Sequence, residues 1–155
     1  MNNRIVCAVT FGLCIVFIAL VKVCTIPPGR ISGNGNPGLL ILLAALFPYA
    51  VLVASVCIES VKLLSRAGMS NGKLAISTIV LSLSIAFCAD AQVEAYHRLL
   101  HELGGDAANP DSKIYRLFIV NQYTNTIFFN ANIVCIGIGS AMLLGMFLYA
   151  LKKKR

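Results

Sequence analysis

Residues 39–58 read LLILLAALFPYAVLVASVCI, twenty consecutive residues without a charge. That is about the length an α-helix needs to cross the ~30 Å hydrocarbon layer of a bilayer. A helix on the surface of a soluble domain would show a polar face, and this run has none. In lipid the backbone must satisfy its own hydrogen bonds, so the run predicts a membrane-spanning helix. A barrel strand would be about ten residues long and would alternate apolar with polar.

Three further runs flank it. The first covers about 5–23 and is interrupted only by Lys22. The third covers about 74–91, with Asp90 at its far end, and the fourth covers 127–151 without a charge. The whole chain of 155 residues is 58% hydrophobic and only 12% charged. An ordinary soluble domain has about 25% charged residues, so this chain could not cover a soluble surface. The same composition excludes intrinsic disorder. The expected fold is all-α: an integral membrane four-helix bundle forming a single domain over 1–155, with an outer cap at about 92–126. The first run is expected to stay as a helix, because no small-x-small cleavage pattern follows it.

Basic residues set the expected orientation. Eight of them fall on one side: Arg4, then Lys62, Arg66 and Lys73, then Lys152, Lys153, Lys154 and Arg155. Five fall in the two longer loops of the other side: Lys22, Arg30, Arg98, Lys113 and Arg116. Both termini are therefore expected in the cytoplasm, in a plasma (inner) membrane. The net charge of +7 is concentrated on that face and calls for no nucleic acid. The expected partners are the lipid bilayer and another membrane protein or a second copy of the chain.

The connections differ in character. Residues 26–38 are punctuated so densely by proline and glycine that a flexible link is expected. Between the second and third runs, Gly68 reads as a helix stop and Ser70 or Asn71 as a helix cap. Helices joined so closely are expected to be antiparallel neighbours. Ser77, Ser84 and Cys88 of the third run would then face Ala50 and Ala54 of the second. Pro48 removes one backbone hydrogen bond within the second run, where a kink is expected.

Helical spacing does not stop at Asp90. Val93, Tyr96, Leu100 and Leu103 keep one apolar stripe, and Glu94–Arg98 and Arg98–Glu102 are opposite charges four apart. Gly104 and Gly105 then end the pattern. The third helix is thus expected to run from about Asn71 to Leu103, roughly 50 Å at 1.5 Å per residue. A short helix from Lys113, capped by Asp111 or Ser112, would carry Ile114, Leu117, Phe118 and Asn121 on one side. Its apolar face would cover the stripe.

Two sets of residues stand out as candidate sites. Asp90, Glu94, His97 and His101 project from one helical face over about three turns. Histidines four apart on a helix suit zinc or copper, with the carboxylates as further ligands. Without such a metal no cofactor is expected. The favoured reading of this face is a solvated surface beyond the membrane, with the metal site as the alternative. Asn130, Gly137, Ala141 and Gly145 share a stripe on the fourth run, and Gly137-x-x-x-Ala141-x-x-x-Gly145 is the small-residue pattern of close helix packing in lipid. Lys22 stands near the level of Asp90, which opens a Lys22–Asp90 pair. Cys24 and Cys88 stand at the same outer level, which opens a disulfide. None of the six cysteines forms a CxxC pair, against a disulfide oxidoreductase.

No Ser-His-Asp grouping and no nucleotide loop is present, so no catalytic residue is assigned and an enzyme is not the favoured reading. Four spans and a basic tail resemble, in layout alone, the bacterial immunity proteins against pore-forming toxins. The expected function is that of a non-catalytic membrane protein: an accessory subunit, regulator or immunity-like factor acting through helix and cap contacts. The alternative is a small oligomeric channel or transporter, or a metal-handling protein using the Asp/Glu/His stripe.

Overall fold

The computed structural model describes residues 2–30 and 35–153. Gly33, Lys154 and Arg155 lie outside the described residues. Among the described residues there are five helices and no strand: α1 (Asn3–Cys24), α2 (Pro37–Ala67), α3 (Asn71–Glu102), α4 (Asn125–Phe128) and α5 (Ala131–Lys153). Four helical segments are long and apolar enough to cross a membrane, the last formed by α4 and α5 together. The chain is an all-α, multi-pass four-helix bundle.

Local signals place the helix ends. The Asn2 side chain accepts from Arg4 N at 3.2 Å and caps α1. Pro37 opens α2, where its missing N–H costs nothing. Gly68 closes α2 in the left-handed region at φ 57°, and Ser70 Oγ caps α3 by accepting from Lys73 N. α2 continues without interruption through Pro48, which is buried.

The helices stand in a row, in the order α1, α2, α5, α3. Here the structure differs from the sequence-based expectation. α2 and α3 are neighbours in the chain but not in space, because α5 lies between them. Ser77, Ser84 and Cys88 therefore do not meet Ala50 and Ala54, both of which are exposed. Small residues on two faces of α5 are the physical reason. A Cβ on Gly137 would overlap the Tyr49 hydroxyl of α2, and one on Gly145 would lie 2.7 Å from Ser60 Cβ. On the other face, a Cβ on Gly139 would lie 2.7 Å from Ile85 Cγ1 of α3. Ala141, between Gly137 and Gly145, is buried.

Tyr49 turns this close approach into a polar lock. Its hydroxyl donates to Ile133 O at 3.0 Å, and its ring meets Phe129 edge-on at 5.9 Å. The core around it comprises Cys14 and Val21 from α1, Leu42, Ala45 and Leu52 from α2, and Phe129 and Val134. At the end that carries the termini, Tyr149 OH and Lys153 Nζ both donate to Met69 O, at 3.3 and 3.0 Å. Lys153 Nζ also reaches Asn71 Oδ1 at 2.9 Å. These contacts pin the last turn of α5 to the α2–α3 connection.

Gly137→Ala should lower the melting temperature in detergent, by about 1–3 kcal/mol of stability, because Tyr49 must move. Gly12→Ala, with nothing within 4 Å of the added Cβ, should be neutral or stabilising. Equal behaviour of the two variants would contradict glycine-dependent packing of α5.

Candidate binding cleft at the cap end

The end of the bundle opposite the termini is built on α3. The helix runs unbroken to Glu102, as its sequence spacing predicted, and Gly104 and Gly105 then turn the chain at φ 83° and 127°. Lys113 N donates to Leu103 O at 2.9 Å, which folds the following segment back onto the end of α3. Leu103, Ile114 and Tyr123 are buried together, with Leu99, Leu100 and Ile26 packed on them.

Two expectations need correction here. Residues 113–123 form a succession of turns, not a helix. Arg116 adopts φ 60°, which an α-helix cannot contain, and its N–H donates to Ala107 O instead of continuing a helical ladder. As a result Ile114 and Asn121 are buried, whereas Leu117 and Phe118 are exposed, Phe118 at 89%. The cover over the stripe of α3 is also partial. Leu100 and Leu103 are packed, but Val93 and Tyr96 stay exposed at 53% and 36%.

The proline- and glycine-rich connection was expected to be a flexible link. Its described parts are tied to the cap. Ile26 N donates to Gln122 O at 2.8 Å, Lys113 Nζ to Pro28 O, and Tyr123 OH to Arg30 O at 3.2 Å. Asn36 and Asn125 exchange amide hydrogen bonds at 2.6 and 3.2 Å. Asn125 is wholly buried against Gly38, where a Cβ would collide with it. A buried amide requires such a partner, and Asn125 finds it in the half-buried Asn36.

The fourth span also departs from the continuous run expected at 127–151. It breaks after α4, at Phe129 and Asn130, and α5 begins at Ala131. Asn130 causes the restart. Its Oδ1 accepts from Ile133 N at 3.1 Å, the N-cap bond. Its Nδ2 donates to Gln92 Oε1 and to Thr126 O, both at 2.8 Å. Gln92 Nε2 in turn donates to Ile127 O at 2.7 Å. Asn130 is thus both a cap and a hydrogen-bonding cross-link between the fourth span and α3.

Next to this linkage lies an open cleft of about 540 Å³ between α3 and residues 126–132. Ala91, Ala95 and Leu99 give it an apolar wall; Glu94, Arg98, Glu102, Asn130 and Asn132 give it a polar rim. Arg98 and Glu94 are paired at 2.8 Å, both largely exposed. The lining offers apolar contact, amide and hydroxyl hydrogen bonding, the carboxylate of Glu102 and one exposed ion pair.

Asp90, Glu94, His97 and His101 are all exposed on α3. Among the described residues, no group of three or more His, Cys, Asp or Glu side chains comes together in a way that could hold a metal ion. Lys22 and Asp90 do not pair, and all six cysteines, Cys24 and Cys88 included, are free. The reason is shared: α1 and α3 are the two outer members of the row. Gln92, Tyr49, Gly139 and the Asn36–Asn125 pair were not singled out from sequence. A glutamine next to an apolar run carried a signal for an interhelical bond. The asparagine pair, 89 positions apart, carried none.

Comparisons of the chain with protein-family models, with curated proteins and with solved structures find no match.

Asn125→Ala should destabilise the protein by about 1–3 kcal/mol, by stripping a partner from Asn36 and emptying a buried site. The loss should be strongly non-additive with Asn36→Ala, with a coupling of about 0.5–3 kcal/mol in a double-mutant cycle of thermal unfolding. Simple additivity would show that the pair does not hold the cap.

Proposed function

We propose that the protein is a non-catalytic, multi-pass membrane protein that binds another membrane protein through α3 and the cap cleft, as an accessory, regulatory or immunity-like factor. One observation carries this reading: α3, 32 residues long, has no buried residue. Each of the other long helices contributes several. Within the membrane-spanning part α3 leans on α5, its outer end touches α4 and the cap, and much of its circumference is left open, from the apolar run into the cleft beyond it. A helix spent only on the bundle's own stability would bury more of itself.

The orientation belongs to the same proposal. Both termini face the cytoplasm of a plasma (inner) membrane, with the cap outside. The eight-to-five distribution of basic residues supports it. In a cysteine-free background, an impermeant thiol reagent applied from outside should label Asp106→Cys and spare Asn71→Cys. The reverse pattern would overturn the orientation.

Photo-crosslinking in cells tests the binding face. A crosslinker at Leu83 or Tyr96 of α3 should trap a discrete protein adduct, and one at Val9 of α1, also exposed, should not. Equal adducts from α1 and α3, or none from α3, would refute a role for α3.

A further inference from the structure

A second site lies at the other end of the bundle. We propose that the cleft between the first turn of α1 and the last turns of α2 binds the phosphodiester headgroup of an anionic lipid. The cleft is about 340 Å³ and is lined by Asn2, Asn3, Arg4, Glu59, Lys62 and Arg66, with no apolar side chain among them.

Its depth suits a headgroup. The apolar run of α1 starts at Ile5 and that of α2 ends at Ile58, so the cleft begins where both turn polar. Ile5 and Ile58 are themselves exposed, at 58% and 50%, and offer apolar surface to acyl chains below the headgroup.

Its charge suits one too. Three cations share the cleft with a single carboxylate. Glu59 is already committed, to Arg4 Nε at 3.0 Å and to Asn3 Nδ2 at 3.4 Å. That bond uses only the Nε edge of Arg4 and leaves its Nη groups without a protein acceptor among the described residues. Lys62 and Arg66 are one turn apart, exposed, and in no ion pair among the described residues. The cleft therefore keeps a net charge of about +2, with forked guanidinium donors that match phosphate oxygens. Glu59 acts as a brace: it fixes Arg4 across the α1–α2 gap without neutralising the cluster.

Native mass spectrometry of the full chain in uncharged detergent tests the site, with phosphatidylglycerol and phosphatidylcholine as probes. Wild type should retain phosphatidylglycerol in preference. Lys62→Gln with Arg66→Gln, which leaves the Arg4–Glu59 bridge in place, should weaken that retention by about tenfold or more and leave phosphatidylcholine unchanged. Lys73→Gln with Lys152→Gln removes the same charge from the same end outside the cleft, and should retain the lipid. Equal losses in both double variants would reduce the effect to general surface charge and overturn the site. So would full retention in Lys62→Gln with Arg66→Gln. A rise in melting temperature with inorganic phosphate equal to that with phosphatidylglycerol would make it a soluble-anion site and overturn the lipid assignment.

Discussion

Two-sided close packing of α5 is the contact on which the arrangement depends. Between helices in lipid there is little hydrophobic drive, because the tails are as apolar as leucine. Association then rests on van der Waals contact at short range and on interhelical hydrogen bonds. α5 supplies both. Gly137 and Gly145 bring it against α2, Gly139 brings it against α3, and Tyr49, Tyr149 and Lys153 add polar bonds along its length. α3 reaches the rest of the bundle largely through α5, so the position of the cap cleft depends on this one helix.

The cap works by a different economy of forces. It has a small buried cluster, Leu103, Ile114 and Tyr123, and many turns whose backbone groups need partners. Helix ends and side-chain amides provide them. Asn130 caps α5 and ties it to Gln92, while Asn36 and Asn125 close the gap between α2 and α4. An unmet buried polar group costs about 1–3 kcal/mol, so these bonds matter chiefly because leaving them unmade is expensive. Among the described residues, no buried side-chain nitrogen or oxygen lacks a partner.

What the sequence revealed and what it hid follow from the range of the interactions. The apolar runs, the stop at Gly68, the cap at Ser70 and the long reach of α3 are local features, encoded by residues within a few positions of each other. The small-residue stripe of α5 was legible for the same reason. The order of helices in the row was not. Short connections favour α2 beside α3, yet the second small face at Gly139 lets α5 enter between them, and a lone glycine in an apolar run gives no direction. The turns at 113–123 resemble a helix in sequence because their apolar residues fall at helical spacing, while the positive φ of Arg116 goes with a distant bond to Ala107. The candidate cleft was half legible. Glu94 and Arg98 were visible as an ion pair, but its other wall depends on where residues 126–132 come to rest.

The exposed face of α3 changes character once along its length. Leu83, Asp90 and His97 are seven residues apart, and so are Phe87, Glu94 and His101, so the two halves lie on the same side of one continuous helix. Leu83 and Phe87 are open at 66% and 75%, and the polar residues that follow them are exposed as well. Acyl chains match the apolar half and gain nothing from the polar half. A soluble ligand meets only the polar half and the cleft beside it. A partner helix that crosses the same membrane and continues into the same aqueous space can follow both halves in register, with apolar contact below Asp90 and polar contact above it. A face of this kind, on the helix least committed to its own bundle, supports recognition of a membrane protein over that of a free small molecule.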